Sequence, residues 1–199
     1  CILKVCSNIG SLQMIEEIHA EASKRGLFEK NIILGTTMVS IYAKQGIFGK
    51  SKEVFDTLPV HSTVTWNALI SGYAQHGLGH EVLKCFNQMQ SEGILPDVVT
   101  LTCIVKTCGT IGNIKKGKQI HDEIETRGLL EKYNMLGNSL VDMYAKLGNL
   151  VEATRAFDQL HTKDIVSWAA LMSGYARSGN LMVVSRCLHD MQTQGIKPH

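Results

Sequence analysis

The sequence predicts an all-α chain built as a solenoid of stacked two-helix repeats. Cys1, Cys6, Gly10, His19, Gly26 and Leu27 recur as Cys103, Cys108, Gly112, His121, Gly128 and Leu129, every pair 102 residues apart. Gly35, Tyr42, Trp66, Gly72, Tyr73, Cys85, Met89 and Pro96 recur at the same interval as Gly137, Tyr144, Trp168, Gly174, Tyr175, Cys187, Met191 and Pro198. A fixed period of this kind signals stacked supersecondary units. A glycine closes each helical stretch (Gly10, Gly46, Gly77, Gly112, Gly148, Gly179) and divides the block into complete units of 36, 31 and 35 residues. No run alternates apolar and polar residues long enough to suggest a sheet.

In chain order the units are 1–31, 32–62, 63–97, 98–133, 134–164 and 165–199. The first is truncated, because Cys1 stands where Cys103 is already inside a helix. The second pairs with the fifth through Gly35, Tyr42 and Gly46 against Gly137, Tyr144 and Gly148. The third shows the helical hairpin most plainly. Trp66, Leu69, Ile70, Tyr73 and Ala74 fall on one buried stripe. Gly77 suits a left-handed helix stop, Val82, Leu83, Phe86 and Met89 make a second stripe, and Pro96 cannot continue it. The fourth repeats the first, and the sixth repeats the third with Trp168, Leu171, Met172, Tyr175 and Ala176.

The 199 residues are 44% hydrophobic with only 3 Pro, which suits a buried core and leaves little room for disordered linkers. No stretch approaches the apolar length of a membrane span, and no secretory or transit segment is visible. A single hairpin cannot cover its own apolar face, so neighbours stabilise one another. His199 ends a unit with no polar capping repeat beyond it, and the chain is expected to be a segment of a longer array.

The cysteines and histidines do not form a reactive centre. All six cysteines are repeat-equivalent pairs without metal spacing, as small buried residues in a reducing compartment would be. His19 to Glu21 and His121 to Glu123 match half of a zinc deaminase signature, but its P-C-x-x-C half appears nowhere. No catalytic residue, metal site or cofactor is expected, and the segment is not expected to be an enzyme.

The unit sequences carry a specific resemblance. TVTWNALISGYAQHGLGHEVLKCFNQMQSEGILPD (63–97) closely resembles the pentatricopeptide repeat. Residues 134–164 are similar to its short form and 98–133 to its long form. The order long–short–standard, run twice, resembles the land-plant PLS subfamily. The resemblance implies a right-handed superhelical solenoid that binds single-stranded RNA, about one nucleotide per repeat. It further implies the site-recognition part of an organellar C-to-U editing factor, in mitochondrion or chloroplast. The deaminase of that subfamily lies in a C-terminal extension that these residues do not include. Editing-complex proteins and self-association through uncapped ends are further expected contacts. The alternatives are a protein-binding helical scaffold like the tetratricopeptide repeats, or an RNA splicing or stability factor.

The residues point to where a base would be read. Ile33, Val64, Val99 and Met135 each stand three residues before Thr36, Asn67, Thr102 and Asn138 near the start of a first helix, hence on one face. Val166 holds the same place beside Ala169, which has no hydrogen-bonding group. An apolar slab beside a short polar side chain suits a single-stranded base, with the face packed and the edge hydrogen-bonded. The competing explanation is that these are solvated or locally bonded helix residues.

The family's second reader is the last residue of the unit: Ser62, Asp97, Tyr133, Asp164 and His199 here. Asp97 and Asp164 each precede a helix, so N-capping is an equal explanation. The family pairing implies uracil for Asn67 with Asp97 and for Asn138 with Asp164. Thr36 with Ser62 points towards a purine. Thr102 with Tyr133 and Ala169 with His199 depart from the usual pairs, so units two to six read purine–U–any–U–any. Lys44, Lys146 and Arg177 share one place, which in the family approaches phosphate. Helix-end cations complementing the dipole would look the same. The net charge of +2 is far from that of a backbone-dominated binder.

Overall fold

A computed structural model describes residues 12–196 of the chain. It contains twelve helices and no strand among the described residues. Two compact parts, Cys1–Pro96 and Asp97–His199, divide the chain.

In the first part the helices are α1 (Leu12–Lys24), α2 (Leu27–Lys30), α3 (Ile32–Lys44), α4 (Phe48–Thr57), α5 (Thr63–Gln75) and α6 (Gly79–Ser91). Helices α3 and α4 form one hairpin and α5 and α6 the next, with α3 packed along α5. The expected stripe of α5 is its core face: Trp66, Leu69 and Ile70 are fully buried, as are Val82, Phe86 and Met89 of α6. Each such side chain contributes about 1.5–3 kcal/mol of burial. The first helix ends where the sequence places its stop. Gly77 adopts φ 72°, its N–H reaches the Ala74 carbonyl at 3.1 Å, and the next N–H reaches Tyr73 at 3.0 Å.

The second part repeats this plan with α7 (Val98–Ile111), α8 (Ile114–Thr126), α9 (Asn134–Lys146), α10 (Leu150–Asp158), α11 (Ile165–Arg177) and α12 (Leu181–Thr193). The first helices α7, α9 and α11 lie side by side in that order, each flanked by its own second helix. Small residues let them approach. A Cβ added to Gly174 would stand 2.8 Å from Ala145 Cβ, and one on Gly72 would stand 2.3 Å from Ala43 Cβ. The N-caps of α5, α7, α9 and α11 are Ser62, Asp97, Tyr133 and Asp164. Gly10, Cys1, Cys6, Pro198 and His199 lie outside the described residues.

Candidate nucleic-acid interface

In the second part a cavity of about 820 Å³ opens between α9 and α11, with Lys106 and Thr110 of α7 at its side. It gathers five of the residues singled out in the sequence: Met135, Asn138 and Lys146 from α9, Asp164 at the cap of α11, and Val166. Met135 and Val166 come from successive hairpins, border the same space, and stay 50% and 57% exposed. Such exposure of large apolar side chains leaves two slabs free to pack on a ligand.

The polar side of the cavity is a fixed network. Asp164 caps α11: its Oδ1 accepts from Ser167 N at 2.9 Å, and the Ser167 hydroxyl completes a capping box. The same carboxylate accepts from Asn138 Nδ2 on both oxygens, 3.1 Å to Oδ1 and 2.9 Å to Oδ2. Asn134 Nδ2 donates to Oδ2 at 3.2 Å. Burial opposes ionisation of Asp164, but hydrogen bonds from the Ser167 amide, the Asn138 side chain and the Val166 amide outweigh it. They hold the carboxyl below its usual range. Capping and holding Asn138 are therefore one carboxylate's two tasks.

Asn138 is 8% exposed, and its Oδ1 is buried without a partner. An unpaired buried acceptor costs about 1–3 kcal/mol. Its amide must turn Nδ2 towards Asp164, because the oxygen would face another oxygen. The side chain is left with Oδ1 and its second N–H as hydrogen-bonding groups.

The first part holds a smaller cavity of about 530 Å³ between α3 and α5, lined by Thr36, Lys44, Val64, Asn67 and Gln75 among others. Here too a first-helix residue is tied to the next cap. The Thr36 hydroxyl lies 3.0 Å from that of Thr65, which lies 2.9 Å from that of the N-cap Ser62. Ser62 Oγ accepts from Thr65 N at 3.2 Å.

Not every expected reader is presented. Thr102 is 6% exposed and donates its hydroxyl to the Val98 carbonyl at 2.7 Å, the local helix bond that was its competing explanation. It lines neither cavity. Ile33 and Val99 are exposed. Asp97 caps α7 through Thr100 N at 2.9 Å with its own capping box. Lys44 and Lys146 stand at the two cavities, Lys146 bonded to Asp142 Oδ2 at 2.6 Å. Arg177 is exposed and lines neither. The histidines of the deaminase-like half-motif, His121 buried and His19 half-buried, each pair with a tyrosine. His19 Nδ1 meets Tyr42 Oη at 2.9 Å and His121 Nδ1 meets Tyr144 Oη at 2.9 Å. Cys85, Cys108 and Cys187 are buried.

Sequence reasoning missed Asn134. Among the first residues of units two to six, it alone carries an amide, the others being Ile32, Thr63, Val98 and Ile165. That contrast was the available signal.

Comparison with known proteins finds repeats of one kind along the chain. A model described as "PPR repeat family" matches residues 61–110, and one described as "PPR repeat" matches 138–165 and 166–196, together more than half of the chain. A chloroplastic pentatricopeptide repeat-containing protein of Arabidopsis thaliana is 34% identical over 198 residues, covering 100% of this chain and 23% of the relative. Another from the same plant, named as mitochondrial, is 32% identical over 197 residues, 99% of this chain and 31% of the relative. The chain thus spans about a quarter to a third of the length of such relatives. The crystal structure of the pentatricopeptide repeat protein PPR10 in complex with an 18-nt psaJ RNA element is similar, with TM-score 0.69 and 23% identity. That likeness covers 96% of this chain and 29% of PPR10, and it shows a shared helical-repeat fold.

Proposed function

The chain belongs to the pentatricopeptide repeat family, and from that premise we propose that its hairpins bind single-stranded RNA, each reader-bearing repeat taking one base. The observation that carries this reading is the cavity between α9 and α11. Two exposed apolar side chains, Met135 and Val166, border it, and the nearly buried amide of Asn138 lines it. Apolar packing on a base face together with an amide on its Watson–Crick edge is how single-stranded RNA is recognised. Lys106 and Lys146 line the same cavity, where the carboxylates of Asp142 and Asp164 balance them.

Within this reading Asn138 touches the base and Asp164 acts through Asn138. The fifth repeat selects uracil: a ring carbonyl accepts from Nδ2, and N3–H donates to Oδ1, which is buried in the chain alone and must turn slightly into the cavity to meet the base. Asn67, beside Val64 in its own cavity, is the reader of the third repeat. Thr36 reads weakly towards purine. The remaining repeats contribute length and packing more than selection.

We further place the parent protein in the PLS subfamily, recognising C-to-U editing sites in a plant organelle. The chloroplastic and mitochondrial names of its relatives support the compartment.

Short single-stranded RNAs of the form purine–U–any–U–any test the reading by anisotropy at fixed salt. Replacing the U opposite the fifth repeat by G is expected to cost about 1–3 kcal/mol, borrowing the scale of DNA mismatches. Asn67→Thr is expected to shift preference at its own nucleotide from U towards G. Equal affinity for all sequences, or binding to helical peptides but not RNA, would overturn the proposal.

A further inference from the structure

We propose that Asn134 is a third specificity-determining residue of the fifth repeat, a positioning residue that donates to Asp164, locks the Asn138 amide in one orientation and thereby favours uracil over cytosine. The inference rests on the RNA-reading proposal above and deepens it.

Asn134 and Asn138 are four apart on α9, so both amides project from one face onto the same carboxylate. Asp164 is held at two ends: Ser167 N secures Oδ1 at 2.9 Å and Asn134 Nδ2 secures Oδ2 at 3.2 Å. Between those anchors Asn138 Nδ2 bridges both oxygens. Without Asn134, Oδ2 keeps only its bond from Asn138, so the carboxylate plane can turn together with the amide that it holds. Every donor in the set is an N–H facing a carboxylate oxygen, so neither amide can be flipped without setting oxygen against oxygen.

Orientation matters because an amide alone is a poor discriminator. Uracil presents an N–H at ring position 3 and a carbonyl at position 4, whereas cytosine presents a bare nitrogen and an amino group there. For a base held in one place, uracil needs Oδ1 opposite position 3 and Nδ2 opposite position 4. Cytosine needs the reverse. An amide free to flip accepts both bases, and a locked amide accepts one. No other described repeat has this device at its first residue. Ile32, Val98 and Ile165 have no donor there, and the Thr63 hydroxyl is directed at the Leu95 carbonyl, 3.4 Å away.

The test uses the whole chain and short single-stranded RNAs that differ only by U or C opposite the fifth or the third repeat. Asn134→Val removes the donor, and Asn134→Asp sets a second carboxylate beside Asp164. The U-over-C affinity ratio opposite the fifth repeat is expected to fall about three- to tenfold in Asn134→Val, and further in Asn134→Asp. The ratio opposite the third repeat is expected to stay constant. An unchanged ratio at equal helicity overturns the inference, and so does an equal fall at both nucleotides, which would mean general damage. If wild-type protein binds no RNA, the functional reading fails first. Exchange of the Asn138 side-chain amide protons, followed by NMR, then decides the positioning role. Faster exchange in Asn134→Val supports it, and unchanged exchange ends it.

Discussion

Asp164→Asn separates the two tasks that one carboxylate performs. As an N-cap, Asn is about as good as Asp, so a residue that merely capped α11 would tolerate the change at almost no cost. The structure predicts otherwise. The single carbonyl oxygen of the new side chain stays with Ser167 N, and its NH2 then faces Asn138 Nδ2, donor against donor, until the Asn138 amide flips and pairs its Oδ1 with that NH2. A bond to a charged group, worth about 1.5–3 kcal/mol, is thereby exchanged for a neutral one worth about 0.5–1.5 kcal/mol. The Asn134 bond is more exposed and adds less. We expect a loss of about 1 kcal/mol. In a repeat protein that loss is local, so native-state hydrogen exchange is the assay. Amides of α9 and α11 should lose about fivefold in protection, while those of α3 and α5 keep theirs. The pH dependence follows from the depressed carboxyl. Its contribution is complete above the unfolded value near pH 4 and is lost as pH falls through the lower folded value. The gap between wild type and variant should therefore close in strong acid. Protection within twofold of wild type at neutral pH would refute the holding role and leave Asp164 a cap alone.

Gly72→Ala gains about 1 kcal/mol of helix propensity but sets a Cβ 2.3 Å from Ala43 Cβ and 3.0 Å from Ala43 backbone carbons. Neither neighbour can swing away, so a net loss of about 1–2 kcal/mol is expected, read from urea midpoints. Burial lowers the pKa of His19 and His121, against the opposing pull of Glu125 and Asp122 on His121. As pH falls below 6.5 the unfolded chain takes up these protons before the folded one, so stability should decline from pH 7 to 5.5. His121→Gln should flatten that slope. Burial pushes the Cys85 and Cys108 thiols up to about 11, so alkylation at neutral pH should be slow until denaturant is added.

The hairpin plan was legible in the sequence because it repeats. Trp66 and Trp168, Gly72 and Gly174, and Gly77 and Gly179 mark the same burial, close approach and helix stop twice over. The candidate site was half legible. Spacing puts Met135 and Asn138 on one helical face, since they stand three apart, and Val166 follows from its equivalent place in the next unit. The division of labour at Asp164 could not, because capping and holding call for the same residue type. Thr102 fits the reader pattern as well as Thr36, yet its hydroxyl bends back to its own helix while that of Thr36 reaches the next. Such a choice between local and neighbouring acceptors is settled by packing distances that no linear pattern encodes. Asn134 escaped notice because it is an ordinary polar residue until Asp164 is seen beside it.

The capping box of α11 has a practical consequence for grafting. A cassette covering 134–164 would carry Asn134, Asn138 and Asp164 together, yet leave behind Ser167, whose amide and hydroxyl complete the cap. Transplanted before a helix whose third residue lacks that hydroxyl, the carboxylate would sit less firmly and its selectivity would blur. A transferable cassette should run through Ser167, three residues beyond the apparent seam.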